Sequence, residues 1–147
     1  MASYDHTKER ELWAWLKKGA KALTVPHHIH RIEDLTKSGT PDVEGCIGGS
    51  AFWAELKVAT EQRTRGTIRI STTAHQVYFA LQRSRAGGRS WYLIRVGTYP
   101  SWEHYLVPGM LAEQLLDKPI PLLHLVSMSP VPPNASAVQL LLAAAQA

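Results

Sequence analysis

Two consecutive glycines, Gly48 and Gly49, separate two runs of strand character, residues 42–47 and 50–58. A Gly-Gly pair between such runs signals a two-residue β-hairpin, because the favoured turn needs positive φ at its central positions. Once these glycines are the turn, partners across the ladder have residue numbers that sum to 97. Asp42 then stands opposite Glu55, and Glu44 opposite Trp53. Opposed residues have Cα atoms roughly 4.5–5.5 Å apart, where two like charges are destabilising unless a cation lies between them. Strand alternation places Asp42, Glu55 and Lys57 on one face, with Glu44 able to join them, while Val43, Ala54, Leu56 and Val58 face the other way. Two carboxylates and one ammonium on one sheet face make an oxygen-rich site suited to Mg²⁺ or Mn²⁺, which retain water and take phosphate oxygens. An exposed acid pair neutralised by Lys57 is the structural alternative.

The hairpin belongs to an alternating pattern. Residues 5–23 carry Leu12, Trp15, Leu16, Ala20 and Leu23 on one helical stripe, with Asp5 or Thr7 as N-cap. A short strand at 28–33 follows Pro26, and residues 35–40 read as a loop. Thr73 and Gln76 form a capping-box pattern for a helix that ends near Gly87-Gly88, its apolar stripe formed by Val77, Tyr78 and Leu81. Residues 90–96 read as a strand and 102–107 as a weaker one; 110–116 look helical, and 122–126 read as a final edge strand. The order α-β-β-β-α-β implies an α/β fold, a small mixed β-sheet flanked by helices. One domain is expected over 1–128, followed over 129–147 by a proline-rich linker and a short apolar helix from about Ala135 that docks on its own domain or on a second copy, the latter giving a homodimer.

Charge narrows the function. The chain of 147 residues has a net charge of +4. Residues 1–59 are balanced, with eight basic and eight acidic side chains, whereas 60–95 hold seven arginines against Glu61 alone. An arginine block suits phosphate recognition, and Arg63, Arg65 and Arg69 are the candidate DNA-backbone contacts. The single cysteine, Cys46, excludes an intramolecular disulfide and reads as a small buried hydrophobe. No apolar run reaches the roughly 18–20 residues of a membrane span, and no secretory signal is read, so a cytoplasmic location without a membrane partner is expected. His28 and His30 share a strand face, but no further metal ligand is near them in sequence.

Pro41-Asp42 followed by Glu55-Leu56-Lys57 resembles the signature of the PD-(D/E)xK nuclease superfamily. The pieces Arg31-Ile32-Glu33, Ser38-Gly39-Thr40-Pro41-Asp42-Val43 and Trp53-Ala54-Glu55-Leu56-Lys57 are similar to small phage-type nucleases of the VRR-NUC kind. Glu9-Arg10-Glu11-Leu12 looks like the first helix of archaeal Holliday-junction resolvases, and the resemblance covers about 9–97. It implies a restriction-endonuclease-like core and a magnesium- or manganese-dependent DNA endonuclease, with selectivity for branched DNA as one form of that activity. In that reading Asp42 and Glu55 hold the metal with the Leu56 carbonyl, and Lys57 is the catalytic lysine. Glu9 completes the site, with Glu33 its rival; Gln76 flanks it, and Ser38 contacts a phosphate. The alternative is a non-catalytic nucleic-acid-binding or assembly protein that retains the fold.

Overall fold

The computed structural model describes residues 6–32, 39–59, 66–97, 101–116 and 118–146. Of the expected site residues, Glu33, Ser38, Arg63 and Arg65 lie outside this set.

The hairpin forms as the register arithmetic requires. Strands β2 (Val43–Ile47) and β3 (Ser50–Ala59) pair antiparallel, with Glu44 opposite Trp53 and Ile47 opposite Ser50. Gly48 and Gly49 take φ of 56° and 86°, values that a side chain with a Cβ rarely adopts. A third glycine has a different cause: a Cβ on Gly45 would run into the ring of Phe52, its cross-strand partner.

β1 (His27–Arg31) adds to the outer edge of β2. Beyond β3 the chain makes a two-residue strand, β4 (Thr67–Ile68), and then α2 (Ala74–Arg85), which returns it to β5 (Ser90–Val96), parallel to β3. β6 (Glu103–Pro108) completes a five-stranded sheet in the order β1-β2-β3-β5-β6. The expected α/β class and the mixed sheet flanked by helices are both present.

Each face carries its own apolar layer. On one, α1 (His6–Ala20) sets Leu12 and Leu16 against Leu56, Leu93 and Leu106. α4 (Ala137–Ala145), started by a Ser136/Gln139 capping box, adds Leu140 and Leu141 to the same layer. The apolar C-terminal helix therefore packs within this chain, with Gly19 of α1 against Ala137. On the other face Val77, Ala80 and Leu81 of α2 cover Tyr92, Ile94 and Val107. Burying each such leucine or valine contributes roughly 1.5–3 kcal/mol.

Four expectations need correction. Residues 122–126 are not a strand: β7 is only Ile120–Pro121, paired to β4, and α3 (Leu122–Met128) follows it. A short apolar run fits either period, and packing selects the helix, which buries Leu125 and Met128 three positions apart and leaves Leu123 exposed. α1 ends at Ala20, short of Leu23. Tyr78 is 65% exposed, on the outer side of α2. Cys46 is exposed, because alternation puts it on the Glu44 face. Among the described residues no helix is long and apolar enough to cross a membrane.

Candidate functional site

The ladder between β2 and β3 stops at Val43–Ala54, one position before Asp42 would pair with Glu55. Asp42 instead turns its side chain to the freed edge of β3, where Oδ2 accepts a hydrogen bond of 2.9 Å from the Leu56 amide. A strand residue directs its N–H and C=O to the same side, so the Leu56 carbonyl points to that same edge. Glu55 and Lys57, flanking Leu56, direct their side chains to the opposite face from the Leu56 side chain, toward α2.

Gln76 of α2 organises this cluster. Its Nε2 donates to Glu55 Oε1 at 2.9 Å, and its Oε1 accepts from Lys57 Nζ at 3.2 Å and from Thr72 Oγ1 at 3.0 Å. The same Oε1 accepts from the Thr73 amide at 3.0 Å, completing the capping box that starts α2. One amide therefore begins a helix and fixes a carboxylate and an ammonium. Tyr92 hydroxyl and Thr72 Oγ1 lie 2.7 Å apart behind it.

Glu55 and Lys57 are 4% and 5% exposed, and Lys57 Nζ lies 3.7 Å from Glu55 Oε1. Glu55 Oε2 is buried with no hydrogen-bond donor. Burial chiefly, and then the charge of Asp42, push the Glu55 carboxyl far above the ordinary carboxylate range, against the opposing pull of Lys57. The nearness of Asp42 acts in the same direction, and so, more weakly, does the charge of Glu9. The cavity lining thus carries three carboxylates, Glu9, Asp42 and Glu55, against two cations, Lys57 and Arg31.

Glu9, from the first turn of α1, is 4% exposed and lines the same cavity of about 270 Å³ with Asp42, Glu55, Lys57 and Gln76. Its charge also acts on Glu55, although more weakly than that of Asp42. Among the described residues no three His, Cys, Asp or Glu side chains gather as a metal cluster, and Asp42 is the carboxylate that acts most strongly on Glu55. Glu44 does not join them; it is half-exposed and lies 3.7 Å from His30 Nε2, its cross-strand partner. His75 is exposed on α2, outside the cavity. Arg69 is exposed.

Sequence reasoning missed Arg31, Ser71 and Thr73 as lining residues. Arg31 has the weakest signal: it closes a short edge strand, and only the meeting of that edge with α1 brings it beside Glu9. Thr73 could have been found, since the N-cap of a helix whose N3 residue reaches the site lies at that site.

Fold and cluster together define a small mixed α/β domain in which buried Glu55 and Lys57 of β3 meet the half-buried Asp42 and Gln76. No family model matches the sequence, and no curated protein matches it. Among solved structures the chain is similar to Hjc, a Holliday junction resolvase from the archaeal hyperthermophile Archaeoglobus fulgidus, at 16% identity with a TM-score of 0.48; the match covers 80% of this chain and 88% of that one.

Proposed function

We propose that this protein is a divalent-metal-dependent nuclease that hydrolyses DNA phosphodiesters at the Asp42–Glu55–Lys57 cluster, in the manner of the PD-(D/E)xK superfamily and its VRR-NUC-like and resolvase-like members. The observation that carries this reading is Glu55: a buried carboxylate with an oxygen lacking any donor, beside a second carboxylate, in a cavity open to a ligand.

The residues present suit Mg²⁺ or Mn²⁺. Asp42 and Glu55, with the Leu56 carbonyl on the same edge, are hard oxygen donors, and the missing positive charge is what a dication supplies. When bound, such an ion lowers the pKa of a water and offsets charge on the phosphate. Asp42 keeps one oxygen on the Leu56 amide, which orients the other. Gln76 holds Glu55 Oε1 and restrains Lys57, so both stand in fixed positions before a substrate arrives. Lys57 is then placed to orient an attacking water and to face developing negative charge. Glu9, across the cavity, is placed to hold a water rather than to join Asp42 and Glu55 directly. Arg63, Arg65, Arg69 and Ser38 are the proposed contacts to flanking phosphates.

The test is incubation of plasmid, single-stranded and four-way-junction DNA with Mg²⁺, Mn²⁺ or EDTA. Cleavage is expected with either metal, stopped by EDTA, and abolished in Asp42→Ala and Glu55→Ala while DNA binding persists. Activity within a few-fold of the parent in either variant overturns the assignment. DNA bound but uncut with both metals favours the non-catalytic alternative. A preference for the four-way junction is the finer expectation.

A further inference from the structure

A second cavity, of about 400 Å³, lies on the α1–α4 side of the sheet, lined by Trp15, Trp102, His104, Asn134, Ser136 and Ala137 among others. Its volume falls within the range of small-molecule sites, roughly 300–1,000 Å³. Behind its aromatic wall stands Arg95, 5% exposed, with Cζ 5.3 Å from the ring centre of Trp15 and 4.9 Å from that of Trp102. Arg95 Nε donates to His104 Nε2 at 3.0 Å, and the His104 ring lies flat on Trp15, 4.0 Å away at an interplanar angle of 4°.

This arrangement is costly for a fold to keep without a partner. Among the described residues no carboxylate comes within ion-pair distance of Arg95; Glu11 acts on it only at longer range. An unpaired buried cation is strongly destabilising, and two indoles offset about 1–2 kcal/mol each. Because His104 Nε2 accepts from Arg95, the ring proton of the neutral imidazole sits on Nδ1, which finds no acceptor among the described residues. Burial first, and then Arg95, hold His104 down to about 4, so it stays neutral. The cavity is thus walled by indole surface and a neutral imidazole, with an uncompensated positive charge directly behind them.

We infer that this cavity receives one nucleotide of an unpaired DNA strand, its base against Trp102 and its phosphate toward Arg95 and His104. The identity of the ligand as nucleic acid rests on the nuclease reading. Position supports it: Lys57–Ile94 and Val58–Arg95 are successive pairs of the β3–β5 ladder, so the candidate site and the cavity share one end of the sheet on opposite faces. α1 stands between them. Glu9 lines the site and Glu11 bears on Arg95; two positions apart, they project about 200° apart from a helix roughly 10–12 Å across. Stacking on an aromatic ring with a cation nearby is how single strands are held without regard to sequence.

The experiment is calorimetric titration of the full chain in EDTA with deoxyadenosine 5′-monophosphate, deoxyadenosine and inorganic phosphate. Saturable nucleotide binding is expected, at least 10-fold tighter than for nucleoside or phosphate alone. Arg95→Gln and the half-buried Trp102→Ala should each weaken it at least 10-fold, with folding of both checked by near-UV circular dichroism. Trp102→Ala leaves the core intact, so the test survives if Arg95→Gln fails to fold. No saturable binding, phosphate binding as tightly as the nucleotide, or unchanged affinity in folded Arg95→Gln or in Trp102→Ala overturns the inference. Titration of a mononucleotide in EDTA involves no cleavage, so a failed nuclease reading shows in the cleavage assay and a failed cavity shows here.

Discussion

Replacing Glu55 by glutamine is expected to abolish metal-dependent cleavage and to stabilise the metal-free protein at neutral to alkaline pH. The reasoning starts from the donorless Oε2 and from burial and the Asp42 charge, which favour a protonated Glu55. The folded state raises the Glu55 pKa above its unfolded value, so between those values the folded chain binds more protons than the unfolded one. Stability from this group is therefore complete below the unfolded carboxylate range, near 4.3, and is lost as pH rises toward the folded value. Inside that window one bound proton is worth about 1.4 kcal/mol per pH unit. From pH 6 to 8 the wild-type chain loses up to about 3 kcal/mol that the glutamine variant does not, on the order of 6–12 °C in Tm for a chain this long. Glutamine keeps an oxygen for the Gln76 donor and offers Asp42 a permanent N–H. Thermal melts of both proteins in EDTA at pH 6, 7 and 8 test this, and adding Mg²⁺ should flatten the wild-type slope by replacing the proton. Wild-type and Glu55→Gln curves that fall in parallel would refute the reasoning.

Glu9→Gln should lower the cleavage rate by about 10-fold or more, the usual loss when a positioned water-holding or proton-handling group goes, whereas Glu33→Gln should alter mainly Tm; rate and melt on each variant decide which acid serves the site. The triple variant Arg63→Ala, Arg65→Ala, Arg69→Ala should bind all DNA sequences more weakly and flatten the dependence of log affinity on log salt by about one unit per lost phosphate contact, read by titration at several salt concentrations. Gly19→Ala drives a new Cβ into that of Ala137 and should destabilise by up to about 2 kcal/mol in urea unfolding, an overpacking cost of about 1–3 kcal/mol between α1 and α4 less a helix-propensity gain of about 1 kcal/mol.

Local chemistry made the centre of this protein legible from its residues. Gly48 and Gly49 can hold positive φ where other residues strain, so the hairpin, its register and the shared face of Glu55 and Lys57 followed from spacing, whereas Asp42 left the ladder and reached the edge of β3. The Thr73/Gln76 capping box and strand 90–96 were equally local, written within a few positions of the chain. What required the tertiary structure involves surfaces that meet across long sequence separations. Gln76 was visible as a cap, but its hold on Glu55 exists only because α2 crosses β3. The apolar run after Pro121 became a helix because packing buries Leu125 and Met128, and Cys46 became exposed because no described element packs over its side of the hairpin edge. Arg95 counted in the sequence only as one of seven arginines of the basic block, and only packing set it between the Trp15 and Trp102 indoles with His104 stacked on Trp15. Spacing determines which side chains share a face; only packing decides what that face meets.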